Sequence, residues 1–474
     1  MTVSLARSST ATPTHASTTV VLVTMCLGVF LAQLDSSVVY LGLKHIGDDL
    51  RADVNELQWV LDAYNLAYAT FLLTGGTLGD LYGRLRIFLW GLAMIVAGSL
   101  ICAMATNGTV LIAGRALTGL GSALEIPSSL AILAVTFTDA AARGRALGFW
   151  ASCNGLAMAI GPSVGGLLVD NTGWRSIFFL SVPVGLLAIT LGYLRVPESS
   201  HPEGRHLDPV AQILAVIVLG TLSFVTIEGQ HSGWTSPLIV TLTIAMIVAA
   251  IAFVRFERGR TGAMVPLDIF RNREFSAALG IAGLMTFGMY AMLFLTPIYL
   301  QAITGASAFI AGLELMPISL TFVIVSQCSG ALMNRFGARA MLAGGMGCMG
   351  GGLLFLAGVA TAQPNLWLVQ AALMVIGVGL GLNTAPVNAV AVAAVGAARS
   401  GTASGLINTT RMIGATMGIA ILGAVYASHA YAGTEEGMLS GLRLAYLGGA
   451  AAELVGVVIA VVFTRRDSMV PSSS

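Results

Sequence analysis

The sequence predicts an all-α integral membrane fold: fourteen transmembrane helices, as two pseudo-symmetric six-helix bundles plus two extra central helices. Three observations predict it. Of 474 residues, 56% are hydrophobic and 9% charged, and the mean hydropathy is +0.86. A soluble domain carries about 25% charged residues, so this chain lacks the polar surface to cover itself. Fourteen apolar runs reach the roughly 20 residues that a bilayer-spanning helix needs. Finally, GTLGDLYGRLR at 76–86 recurs as GALMNRFGARA at 330–340, an offset of 254, with Gly76, Leu78 and Gly83 matched by Gly330, Leu332 and Gly337.

Residues 1–18, rich in Ser, Thr and Ala, read as a disordered cytoplasmic tail. Span 1 (19–42) is long enough to cross and lacks an obvious cleavage site, so it is a helix rather than a signal peptide. Span 2 (57–79) follows, then span 3 (86–105), span 4 (109–135), span 5 (145–168) and span 6 (177–194), which completes a first bundle at 19–194. In span 5, Gly161-Pro162 interrupts the hydrogen-bond ladder, and Gly165 and Gly166 permit close packing. The two sizeable polar connections, 195–208 and 255–275, flank span 7 (209–227) and span 8 (237–254), the extra pair of a 195–275 segment. Spans 9 (276–300), 10 (308–332), 11 (340–360), 12 (366–393), 13 (402–428) and 14 (441–463) make a second bundle at 276–463. A second cytoplasmic tail is expected at 464–474.

Arginine orients the chain. With the N-terminus inside, seventeen of the 23 basic residues fall on the inner side, and Lys44, Arg51, Arg175 and Arg443 on the outer side. Arg115 and Arg411 lie within spans. An even number of spans then puts both termini in the cytoplasm. The five cysteines are scattered through apolar stretches without a CxxC, which excludes a disulfide framework and a structural metal. A net charge of +1 offers nucleic acid no attraction. Neither a Walker A sequence nor HExxH occurs, so the chain reads as neither an ATP-driven engine nor an enzyme. It needs no cofactor, and its energy comes from an ion gradient.

The charges inside the spans are the functional candidates. A carboxylate at the bilayer centre costs about 2.5–3.5 kcal/mol on insertion scales. Asp35 in span 1 and Arg115 in span 4 lie at similar depth, so they are placed to pair and lessen that cost. Such a pair is either a coupling device or a fixed structural one. Glu125, ten residues beyond Arg115, has no counter-charge one turn away. Asp62 near the start of span 2 and Glu314 near the start of span 10 either join the coupling group or sit at the wet interface. Glu453 in span 14 reads as structural. A carboxylate in apolar surroundings can take a proton in one facing state and release it in another.

The 76–86 loop has its own logic. Gly76 and Gly79 let the end of span 2 approach a neighbour. Asp80 pairs with an arginine or caps a neighbouring helix. Gly83 allows a tight turn, and Arg84 and Arg86 anchor at the headgroups.

This loop resembles the signature loop of the major facilitator superfamily. LDSSVVYLGL (34–43), RALTGLGSA (115–123), AMAIGPSVGG (157–166) and GWRSIFFLSVPVG (173–185) narrow the resemblance to its fourteen-helix drug:proton antiporters, multidrug and antibiotic exporters. The chain departs from the pattern at Leu81, at Leu85 between the two arginines, and at Tyr40 and Lys44, where the family often has Asn and Pro. The resemblance implies a proton-coupled antiporter in a bacterial inner membrane. It would export amphipathic organic compounds (drugs, antibiotics, cationic dyes) by alternating access, as a monomer. It implies a gating role for the loop residues Gly76, Gly79, Asp80, Gly83, Arg84 and Arg86, and an antiporter motif at Gly161, Pro162, Gly165 and Gly166. It further implies a cavity lined by spans 1, 4, 9 and 12. Asp35, Asp62, Arg115, Glu125 and Glu314 would serve there in proton coupling and substrate binding, and Asn383, Asn388 and Arg411 as polar lining. A proton-coupled importer of a defined metabolite and a non-transporting receptor remain the alternatives.

Overall fold

A computed structural model describes residues 15–201, 207–260, 263, 265–396, 399–430 and 434–464. The expected tails at 1–18 and 464–474 thus lie outside the described residues, apart from 15–18, which already belong to the first helix, and Thr464. The described residues form fourteen helical rods and no strand. They are α1 (His15–Leu50), α2 (Val54–Tyr82), α3 (Arg84–Ala103), α4 (Gly108–Thr136) and α5 (Ala140–Thr172). Next come α6 (Arg175–Arg195), which is broken at Leu180, α7 (Pro209–Ser232) and α8 (Pro237–Glu257). After a 3-10 turn at Leu267–Arg271 follow α9 (Arg273–Ala302), α10 (Ala308–Phe336) and α11 (Ala338–Val359). The last three are α12 (Leu366–Val395), α13 (Ser400–Ala430) and α14 (Glu435–Phe463).

Polar residues mark where these helices start. Asp53, Asn107, Asp139, Asp208, Ser236, Asn272, Ser307, Asn365 and Thr434 each accept a hydrogen bond from a first-turn N–H, the usual N-cap chemistry. α1 outruns its expected end at 42 because Lys44 and Asp48 pair one turn apart at 2.8 Å and carry the helix past the apolar stretch. Thirteen rods are long and apolar enough to cross a membrane. The exception, α2, is 29 residues long but carries Gln58, Asp62 and Asn65, all buried inside the protein. Its polar groups face other helices rather than lipid.

Within the first half, α4 packs on α2 and α3, α1 on α5, and α6 on α1 and α3. Within the second, α9 packs on α13 and α14, α12 on α10 and α11, and α11 on α14. Two seams join the halves: α5 against α10, and α2 against α13. α7 and α8 pack on each other, and α7 lies against both α2 and α13, covering that seam. We call the face where α1 begins the near face and the opposite one the far face. The two copies of the repeated loop both turn at a glycine with positive φ on the near face, Gly83 (+110°) and Gly337 (+79°). An L side chain rarely adopts that conformation, which accounts for glycine at both positions.

Candidate functional site

Asp35 and Arg115 meet deep in the first half. Arg115 Nη1 lies 2.6 Å from Asp35 Oδ2, and both side chains are about 1% exposed. The other carboxylate oxygen accepts from Ser99 of α3 at 3.3 Å and Ser181 of α6 at 3.4 Å. Arg115 Nε donates to the Val60 carbonyl of α2 at 3.1 Å, and the guanidinium stacks 4.6 Å over the Tyr64 ring. One ion pair thereby ties α1, α2, α3, α4 and α6 together. A buried pair is tolerable when its remaining hydrogen-bonding capacity is met in this way. Ser99 and Ser181 escaped the sequence reading, since serines in apolar spans are common and carry no signal of their own.

A cavity of about 40 Å³ lies between the halves, lined by α1, α5, α9 and α10. Its α1 wall is a stripe at helical spacing, Gln33, Ser36, Ser37, Tyr40 and Leu41. Met158 and Pro162 come from α5, Met289, Tyr290 and Leu293 from α9, and Leu315, Ile318 and Ser319 from α10. Asp35 sits on the opposite side of α1, directly behind this wall. The expectation is a lining by spans 1, 4, 9 and 12; around this space α1 and α9 are joined by α5 and α10. The space admits water but no drug-sized molecule, so binding such a molecule requires the halves to part.

The far half of the molecule is the tighter one. Asp170 at the end of α5 accepts from the Ala308 and Phe309 amides at 3.0 and 2.8 Å, capping α10 across the seam. Gln301 of α9 donates to the Leu41 carbonyl at 3.2 Å, and Gln58 of α2 to the Ile419 carbonyl at 3.1 Å. The Gly161-Pro162 break and Gly165-Gly166 of α5 lie in this half. Gly161 abuts Ser37, Gly166 abuts the Ala308 carbonyl, and a Cβ on Gly165 would come within 2.9 Å of the Val38 carbonyl. Pro162 faces Gly312 just as closely. Toward the near face the same seam loosens: Gly155 has Val323 as its nearest neighbour at 3.6 Å, and Gly144, Gly148 and Gly330 have open space.

The other acids are scattered. Asp62 is fully buried rather than at a wet interface, and neither oxygen has a hydrogen-bond partner. It lies within electrostatic reach of the Tyr40 phenol. Glu125 does not face the cavity. Its carboxylate is wedged against Gly28 of α1 and its backbone against Gly91 of α3, inside the first half and without a hydrogen bond. Glu314 accepts from Gln370 of α12 at 2.8 Å, within the second half. Glu453 is buried without a partner against Gly288 of α9.

The three polar residues expected in the lining stand away from this space. Asn383 is fully buried between α12 and α11, with its amide against Gly345. Asn388 donates to the Thr384 carbonyl of its own helix at 3.0 Å, and Arg411 reaches that same carbonyl at 3.0 Å. None of the three lines the cavity. In the near-face loop, Asp80 accepts from Arg84 Nη2 at 2.8 Å, while the Arg86 side chain is exposed. Gly79 approaches Ser128, but Gly76 has room; the glycine pressed against α4 is Gly75, on the Ala123 carbonyl. Among the described residues no three His, Cys, Asp or Glu gather as a metal ion would require.

Residues 25–419 match the sequence profile of the Major Facilitator Superfamily. The chain is similar to the multidrug resistance protein Stp of Mycobacterium tuberculosis (strain CDC 1551 / Oshkosh). The two are 36% identical over 402 residues, which cover 85% of this chain and 74% of Stp. It is similar also to the methylenomycin A resistance protein of Bacillus subtilis (strain 168), 35% identical over 410 residues, 85% of this chain and 87% of that one. The multidrug efflux pump LfrA of Mycolicibacterium smegmatis (strain ATCC 700084 / mc(2)155) is 30% identical over 456 residues, 96% of this chain and 89% of LfrA.

Proposed function

Because the chain belongs to the major facilitator superfamily, we propose that it is a secondary active exporter that exchanges amphipathic organic compounds, antibiotics and drugs among them, for protons. It works as a monomer in a bacterial inner membrane, driven by the proton gradient without a cofactor. The near face is the cytoplasmic one, as the arginine distribution requires. The names of the relatives support the substrate class, since they are resistance and efflux proteins.

One observation carries the coupling. The Asp35–Arg115 pair lies directly behind the α1 wall of the cavity. A proton on Asp35 removes the charge that holds Arg115, while Arg115 keeps the Val60 carbonyl and the Tyr64 ring. α1 is then released from α4, and the cavity wall moves with it. Asp62, buried near Tyr40 without a hydrogen bond, is a second place where a proton can rest. The segments 19–194 and 276–463 rock as bodies about the cavity, and the 195–275 pair rides on the α2–α13 seam. Opening outward breaks the Asp170, Gln301 and Gln58 bonds at the far face.

Energised vesicles test this reading. Inside-out vesicles bearing the wild-type protein should accumulate a fluorescent drug, and an uncoupler should abolish the accumulation. Asp35→Asn should insert normally and accumulate none. Proton-driven accumulation by Asp35→Asn would overturn the coupling role. Accumulation only in right-side-out vesicles would make the protein an importer, and accumulation in neither would leave a receptor.

A further inference from the structure

Four hydrogen-bonding groups face the interhalf cavity without a hydrogen bond to any described residue: the Gln33 amide, the Ser36 hydroxyl, and the phenols of Tyr40 and Tyr290. Their hydrogen-bonding capacity is free of other side chains and is open to whatever occupies the space. Their placement is not that of one helix face. Tyr40 stands on α1 in the first half and Tyr290 on α9 in the second, close enough for the two phenols to interact electrostatically. A molecule held by both bridges the two halves.

The cavity is also uncharged. No Asp, Glu, Lys or Arg lines it. Asp35 adjoins Ser36 in sequence, but it points to the other side of α1 and its charge is met by Arg115. Behind Tyr40 lie both the Asp62 carboxyl and the Arg115 guanidinium, of opposite charge and each within electrostatic reach of that phenol, and neither lines the cavity. The charge that bears on Tyr290 is the Arg411 guanidinium, which repels a cation. Glu314 is bonded to Gln370 and Glu125 is packed against Gly28, each inside its own half and away from the cavity. The remaining walls, with Met158, Met289 and Leu293, are apolar and adaptable.

We infer that this cavity selects uncharged amphiphiles bearing oxygen donors and acceptors over organic cations, and that Tyr40 and Tyr290 are its specificity-determining residues. The inference rests on the cavity being the substrate site, as proposed above. An ammonium group brought into it would lose its water and find no carboxylate in return.

A matched pair of probes tests this, daunorubicin, which carries an ammonium, and N-acetyldaunorubicin, which is the same ring system without the charge. Binding to purified protein in nanodiscs is followed by anthracycline fluorescence, with no proton gradient present. The N-acetyl form should bind at least about tenfold more tightly. Tyr40→Phe and Tyr290→Phe should each weaken it about fivefold, the worth of one neutral hydrogen bond. Ser319→Asp, which sets a carboxylate in the wall, should reverse the preference. Equal or tighter binding of daunorubicin by the wild type would overturn the inference. So would unchanged binding of the N-acetyl form by both phenylalanine variants, or binding of neither probe. Because binding is read without a gradient, a protein that discriminates as stated yet fails in energised vesicles would break the transport reading and leave this one standing.

Discussion

The two copies of the repeated near-face loop share a turn and little else. After α2, Asp80 pairs with Arg84 at 2.8 Å across the Gly83 turn. Glu198, from the segment after α6, accepts from the Leu85 and Arg86 amides at 2.9 and 3.0 Å and so caps α3. Arg84 N–H donates to the Ser199 carbonyl, and His201 N–H to the Asp80 carbonyl, so residues 198–201 run bonded along the loop. After α10, Asn334 stands where Asp80 would and is exposed, and Ala338 stands where Arg84 would. The near face of the second half is fastened elsewhere. Arg399, between α12 and α13, reaches Asp268 at 2.5 Å, and Asn272 donates to the Ala394 carbonyl at 2.9 Å. The comparison teaches that the repeat preserves a backbone turn, while each half builds its own electrostatic fastening around it.

The largest break should come at the two turning glycines. An alanine Cβ at Gly83 would meet the Glu198 carboxylate at 2.7–2.9 Å and would hold φ at +110°. The glutamate side chain can swing away, but the α3 cap is then lost on top of the backbone strain. Gly83→Ala should destabilise by about 2–3 kcal/mol, and Gly337→Ala by about 1 kcal/mol from strain alone. Thermal unfolding of the purified variants, side by side, checks the difference; equal shifts would mean that the Glu198 cap contributes nothing.

Next in size is the ion pair. Asp80→Ala leaves a largely buried arginine without its carboxylate and should cost about 1–2 kcal/mol. It should also slow drug turnover more than it weakens drug binding, since it loosens the near-face loop and not the cavity. Asn334→Ala in the other copy should change stability by less than about 0.5 kcal/mol. Kinetics of uptake in inside-out vesicles, paired with binding in nanodiscs, separate the two effects. Glu198→Gln is gentler still. It keeps an acceptor for one α3 amide and removes the negative charge from the helix N-terminus, a loss of about 0.3–1 kcal/mol that high salt should shrink.

The smallest effect belongs to the second half's own fastening. Hydrogen bonding from Arg399 holds the Asp268 carboxyl below its ordinary range. A carboxyl lowered in the folded state adds stability above its unfolded pKa of about 3.9 and loses it as pH falls through the lower folded value. The pair is solvent-exposed, so Asp268→Asn should lower the unfolding temperature only slightly at pH 7. That difference should close in acid, below the folded value. A constant difference across that window would remove the ion pair as its cause.

Much of this protein was legible along the chain. Thirteen of the fourteen rods follow from runs of apolar residues, because a helix in lipid must satisfy its own backbone and its length is set by the bilayer, while α2 buries its polar residues against other helices. The two loop turns follow from Gly83 and Gly337, which take a backbone conformation that other residues rarely adopt. The meeting of Asp35 with Arg115 follows from the cost of leaving either charge alone at that depth. Which way each helix turns its faces belonged to the tertiary structure. In water, an apolar stripe marks the side that packs inward; in lipid, the solvent is as apolar as the core, and the stripe loses that meaning. From the chain alone Glu125 and Asn383 therefore read as cavity residues, although their helices turn them into their own halves. Ser36 and Tyr40, neighbours of the more conspicuous Asp35, carry no such signal although they line the space between the halves. Glu198 and Asp170 were missed for a related reason: each caps a helix more than a hundred residues away, and no local pattern records a partner that only folding brings near.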